Sequence, residues 1–124
     1  MTPEGAAKKS ICSYLDTRRD VKFWVQESQG TYDAKAGRFR RKNSRYQRNG
    51  ASDILIQFTM QELPILVCLE VKSKVGRQSD SQIEFQDYIE QGQGLYYIVR
   101  TIGDTQAALS HARSTVLTRL KLTT

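Results

Sequence analysis

Apolar positions change their period several times along the chain, and each change marks an element. Ala7, Ile11, Tyr14 and Leu15 recur at helical spacing, with Thr2 placed to cap and Pro3 in the first turn. Val21, Phe23 and Val25 then alternate with Lys22, Trp24 and Gln26, the period of a half-buried strand. Residues 29–49 keep no sustained apolar period and are broken by Gly30 and Gly37, which predicts a long loop or a hairpin extension. Residues 53–58 and 65–72 read as two further strands joined by a turn at 61–64, expected to pair as a hairpin. Ser79 offers an N-cap with Gln82 at capping-box spacing. Ile83, Phe85, Tyr88 and Ile89 line the helix that follows, until Gly92 and Gly94 end it. Leu95 to Val99 is a continuous apolar run, as in a strand covered on both faces. Asp104 or Thr105 is expected to cap a last helix, in which Leu109, Ala112, Val116 and Leu120 repeat at helical spacing.

The expected order is therefore α-β-β-β-α-β-α. The helix between the third and fourth strands allows a parallel crossover, so the fold class is α/β, with a mixed four-stranded sheet flanked by helices. The 124 residues suit one domain, 1–124, with no internal repeat.

Charge narrows the partners. Nineteen Lys and Arg against 13 Asp and Glu give a formal charge of +6, which favours a polyanion, nucleic acid first. No apolar run approaches the ~20 residues of a membrane span, and no signal-peptide pattern opens the chain. A cytosolic protein is the expectation. Between Asp33 and Asp53 no acidic residue occurs, yet Lys35, Arg38, Arg40, Arg41, Lys42, Arg45 and Arg48 do, interleaved with Phe39 and Tyr46. Such a block suits phosphate tracking and base stacking; as a charge run alone it is equally a solvated loop. Cys12 and Cys68 lack neighbours at zinc-ligand spacing and are expected to be reduced. A single histidine, His111, argues against a Ser-His-Asp triad and reads as a helix-surface residue.

The chemistry lies elsewhere. Strand alternation puts Leu66, Cys68, Glu70 and Lys72 on one face and Ile65, Val67, Leu69 and Val71 on the other. Glu70 and Lys72 are thus neighbours on one surface. Asp53 opens the strand expected to pair with theirs, and a hairpin of this length can bring its carboxylate beside Glu70, although the register does not follow from sequence. Two close carboxylates repel unless a cation lies between them, and a hard ion such as Mg²⁺ or Mn²⁺ suits oxygen ligands and substrate phosphate. Lys72 could then neutralise a phosphate or orient an attacking water. A Glu-x-Lys triplet on its own is also an ordinary surface ion pair.

Asp53 followed by Glu70-Val71-Lys72 on paired strands, in this element order, resembles the PD-(D/E)XK nuclease superfamily. Gly50-Ala51-Ser52-Asp53, the Gly76-Arg77 loop, Gln82 with Phe85, and Leu95-Tyr96-Tyr97-Ile98-Val99-Arg100 are similar to the VRR-NUC, or virus-type replication-repair nuclease, domain. The likeness runs from about Glu4 to Gly103 and departs at Ser52, where the superfamily pattern has proline. It implies a restriction-endonuclease-like αβββαβ(α) core. It implies that Asp53 and Glu70 ligate the metal with the backbone carbonyl of Val71, that Lys72 serves the attacking water, and that Gln82 stands near. Glu4 would complete the metal shell through water. It further implies a homodimer of phage or bacterial type that cuts branched DNA such as Holliday junctions.

The expected function is thus a metal-dependent, structure-selective DNA endonuclease using Asp53, Glu70, Lys72 and Gln82. DNA contacts are expected from Arg38, Arg40, Arg41, Lys42, Arg45, Arg48, Lys74 and Arg77. A non-catalytic basic nucleic-acid-binding module is the alternative from another class. A restriction-type enzyme reading a short duplex sequence is disfavoured, because little chain is left for base readout.

Overall fold

The computed structural model describes residues 2–26, 30–33, 35, 37–41, 50–60 and 63–123. Helix α1 (Pro3–Asp16) starts where Thr2 Oγ1 accepts a 3.0 Å hydrogen bond from the Gly5 amide, with Pro3 in the first turn. Ile11 and Leu15 are its buried residues, the inner half of the apolar stripe. Strands β1 (Val21–Val25), β4 (Ile54–Met60), β5 (Leu63–Val71) and β6 (Leu95–Val99) form one sheet in the order β1-β4-β5-β6. The first two pairings are antiparallel and β5 with β6 is parallel, so the sheet is mixed as expected. The crossover between β5 and β6 is helix α2 (Asp80–Gln91), and helix α3 (Ile102–Thr123) follows β6.

Two layers of helix enclose the sheet. Ile65, Val67, Leu69 and Val71 turn toward α1 and α3, joining Ile11, Leu15, Ile54, Ile56, Phe58, Val99, Leu109, Ala112 and Val116 in the main core. On the other face Cys68 packs with Phe85, Ile89 and Tyr96 under α2. Helix α2 thus covers the β5–β6 side. The β1–β4 side of that face keeps Lys22, Trp24 and Gln57 exposed.

Several expectations are corrected. The stretch expected as a loop or hairpin extension contains β2 (Gly30–Asp33) and β3 (Arg38–Arg41), which pair antiparallel as a separate two-stranded sheet; the hairpin alternative was the right one. Strand β5 begins two residues earlier than expected, with Pro64 opposite Thr59, and Gln61 and Glu62 of the expected turn lie outside the described residues. Ile83 and Tyr88 do not line the core: they are 44% and 60% exposed, and only Phe85 and Ile89 turn inward. Helix α2 ends at a Gly92 cap, but the left-handed residue is Gln93, at φ 68°. Gly94 is needed for space instead, since a Cβ there would lie 2.7 Å from Ile89 Cγ2. Helix α3 starts before Asp104, because Thr101 Oγ1 accepts from the Asp104 amide while the Asp104 carboxylate accepts from the Arg100 amide. Thr105 is buried inside the first turn, its hydroxyl donating to the Thr101 carbonyl.

Among the described residues, no helix is long and apolar enough to cross a membrane. Both cysteines are free thiols: Cys68 is buried, Cys12 half-buried. His111 is exposed on α3, where its Nδ1 lies 2.8 Å from the Tyr97 hydroxyl.

Candidate metal centre

Register sets the first contact. Ile54 faces Leu69, so Asp53, one residue earlier, comes level with the end of β5. There Asp53 Oδ2 accepts a 2.9 Å hydrogen bond from the Val71 amide. The expected proximity of Asp53 and Glu70 is therefore built into the strand pairing. Gly50 makes that approach possible: it has φ 80°, and a Cβ there would lie 2.3 Å from the backbone carbon and oxygen of Ser81. The segment leading into Asp53 thus rests directly on the first turn of α2.

That same turn supplies Gln82. Its backbone amide donates to Ser79 Oγ and its side-chain Oε1 accepts from the Ser79 amide at 2.9 Å, a complete capping box. The capped amide is also a bridge. Nε2 donates to Glu70 Oε1 at 2.7 Å, and Oε1 accepts from Lys72 Nζ at 2.8 Å. Lys72 Nζ is itself 3.6 Å from Glu70 Oε1. One glutamine therefore ties the helix end to Glu70 on the strand and to Lys72 just after it.

Glu70 is 2% exposed and Lys72 8% exposed, which excludes an ordinary solvated ion pair. Among the described residues, Glu70 Oε2 is buried without a hydrogen-bond partner, an unsatisfied acceptor of a kind that native interiors rarely keep. Its pKa is pushed up to about 8, first by burial and then by the Asp53 charge, against the smaller opposing effect of Lys72. Carboxylate oxygens of Glu4, Asp53 and Glu70 lie within 4.8 Å of one another. Three acids converge on one point. A hard divalent cation fits this donor set, because it would both satisfy the orphaned oxygen and remove the repulsion.

Of the other expected residues, Val71 touches Asp53 through its amide, and Lys74 and Arg77 are exposed on the loop after β5. Arg38, Arg40 and Arg41 lie on β3, whereas Lys42, Arg45 and Arg48 lie outside the described residues.

Two site neighbours went unread in the sequence. Lys8, one turn after Glu4 on α1, places Nζ 3.7 Å from Asp53 Oδ1 and 3.5 Å from the Gln26 carbonyl. The i, i+4 spacing from Glu4 was the available signal. Arg100 donates from Nε to the Ser73 carbonyl at 3.2 Å and from Nη2 to the Gly76 carbonyl at 3.0 Å. It thereby pins the loop that leaves Lys72, where a Cβ on Gly76 would touch the Lys72 side chain at 3.4 Å. Nothing local in the sequence pairs Arg100 with that loop.

No protein-family model matches the chain, and no curated protein or solved structure matches it either.

Proposed function

We propose that this protein is a Mg²⁺- or Mn²⁺-dependent DNA endonuclease that hydrolyses phosphodiester bonds, of the VRR-NUC type that its motifs resemble. The observation that carries the reading is the buried, unpartnered Oε2 of Glu70, in a carboxylate that converges with Asp53 and Glu4 and lies beside a buried lysine. A purely structural Glu–Lys pair would leave no reason for two further acids there.

Asp53, Glu70 and Glu4 are the residues that would hold the cation. When bound it would supply charge stabilisation to the phosphate and a lower pKa for water. Lys72 provides a fixed ammonium at the site edge, kept in place by Gln82, where it can neutralise phosphate charge or orient the attacking water. Gln82 holds Glu70 and Lys72 in one geometry, so that carboxylate and ammonium meet the substrate together.

The topology supports DNA as the substrate. The chain leaves the main sheet at Val25 and returns at Ile54, its paired neighbour, next to Asp53. The seven-cation segment is inserted between those two points, so the phosphate-binding charge issues from the edge of the site. Branched DNA and a homodimer follow from the resemblance, since symmetric cleavage of a four-way junction needs two sites related by a two-fold axis.

A panel of junction, flap, nicked, duplex and single-stranded DNA, incubated with Mg²⁺ and with Mn²⁺, tests the proposal. Cleavage of branched substrates that vanishes in chelator and in Lys72→Ala, with binding retained, is the expected result. Binding without cleavage under every condition would favour the non-catalytic module, which the +6 charge also suits.

A further inference from the structure

The single tryptophan of the chain is 56% exposed, although tryptophan is the largest apolar side chain available to fill a core. Trp24 lies on β1, the outermost strand, opposite Leu55, which in turn faces Cys68. Alternation along β5 puts Cys68 and Glu70 on one face, so the indole projects from the face that carries the site. Helix α2 covers the β5–β6 half of that face and leaves Trp24 uncovered. The diagonal from Trp24 to Asp53, one strand across and two residues along, spans about 7–8 Å between backbones. That is about two steps of a stacked strand at ~3.4 Å each.

The surroundings are cationic as well. Lys22 is exposed on the same face of β1, level with Gln57, and Lys8 reaches Asp53 and the Gln26 carbonyl just beyond β1. An exposed indole beside an ammonium group, here Lys22, is what single-stranded nucleic acid uses: the ring takes a base face and the cation takes an adjoining phosphate. We infer that Trp24 is a stacking platform for an unpaired DNA base about two nucleotides from the phosphate held at the Asp53–Glu70 site, with Lys22 as a backbone contact. A duplex keeps its bases stacked on one another, so this platform selects DNA with an unpaired segment.

The inference rests on the proposed DNA-cleaving reading and deepens it. Because Trp24 is the only tryptophan, emission excited at the long-wavelength edge, where the six tyrosines do not absorb, reports on it alone. The test titrates oligothymidylate, and a duplex of equal length, into the protein in chelator, following tryptophan emission and the anisotropy of labelled DNA together. Trp24→Phe and Trp24→Ala are compared by anisotropy, and both are expected to fold because the position is exposed on an edge strand.

Oligothymidylate is expected to quench the emission strongly and the duplex weakly. Trp24→Ala should lose about tenfold in affinity for the single strand, with Trp24→Phe between it and the natural protein. Anisotropy that reports binding while emission stays unchanged, or Trp24→Ala that binds as tightly as the natural protein, overturns the platform and leaves the nuclease reading intact. Absence of DNA binding by every variant overturns both. Emission that changes with protein concentration in the absence of DNA, together with a dimer in sedimentation that Trp24→Ala abolishes, assigns the indole to self-association and overturns the platform.

Discussion

The Lys8 ammonium stands 3.7 Å from Asp53 Oδ1, so one acid of the carboxylate cluster already has a cation supplied by the chain itself. Helix α1 delivers both signs of charge, with Glu4 in its first turn and Lys8 one turn later. Lys8 partly offsets the repulsion among the three acids in metal-free protein and competes with any cation that would replace it. Lys8→Met is therefore expected to tighten Mn²⁺ binding by about twofold to fivefold, within the small worth of a partly exposed pair. Calorimetric titration of both proteins measures this, and a weaker affinity in the variant would show that Lys8 supports the metal instead.

Protonation of Glu70 couples the site to pH. Its folded pKa of about 8 lies above the ordinary 4.5, so metal-free folded protein keeps a proton that the unfolded chain releases in between. The sign is set by that order: the stabilisation is complete below 4.5 and is lost as pH rises through 8. Thermal melts of natural protein and Glu70→Gln in chelator should diverge across this window, the natural protein losing stability relative to the variant as pH rises. Parallel curves would mean that Glu70 is ionised throughout. Mn²⁺ bound there would displace the proton, so metal affinity should climb with pH up to about 8 and then level off.

Gly50 is expected to tolerate no side chain. Gly50→Ala must relieve both a φ of 80° and a 2.3 Å approach to the Ser81 backbone, at a cost of about 2 kcal/mol or more. Because the strained segment leads straight into Asp53, metal affinity should fall together with the melting temperature. Gly37→Ala provides the contrast, since that glycine also has positive φ but a Cβ there would meet nothing within 4 Å among the described residues. Equal losses in the two variants would assign the whole effect to backbone strain.

Gln82 has separable duties. Gln82→Leu removes a hydrogen bond to the Ser79 amide and both side-chain contacts to Glu70 and Lys72, and should cost about 1–3 kcal/mol of stability. Gln82→Glu keeps an acceptor for Ser79 and Lys72 but adds a third charge beside Glu70. It should preserve the helix cap while raising the Glu70 pKa further, which a shift of the pH profile for Mn²⁺ binding would reveal.

Much of the fold was legible because its elements are strongly periodic. The β5 stretch shows why the site was legible too: alternation alone assigns Glu70 and Lys72 to one face and Val71 to the other, and the structure keeps that assignment. The burial of the pair was hidden, since it depends on α2 settling over β5. Tyr88 illustrates the opposite failure. Its helical spacing suits a core stripe, but Phe85 and Ile89 are the residues that α2 buries, and Tyr88 is left 60% exposed. Arg100 was missed because it acts on the 73–76 loop, far away in sequence, and no local pattern encodes that meeting; Lys8 acts on Asp53, as distant, and only its i, i+4 spacing from Glu4 pointed to the site.

Asp53 and Glu70 are proposed to hold a divalent cation whose presence lets the chain cut DNA. Asp53→Asn tests it most directly, because the amide oxygen can still accept from the Val71 amide and so preserves the fold while removing the charge. The measurement is cleavage of a labelled four-way junction by natural protein and Asp53→Asn, with Mn²⁺, with chelator, and with Mn²⁺ restored. Cleavage by the natural protein that stops in chelator and returns with metal, and that Asp53→Asn lacks throughout despite a normal melting curve and retained junction binding, is the predicted result. Cleavage that persists in chelator, or proceeds equally fast in Asp53→Asn, would contradict the account.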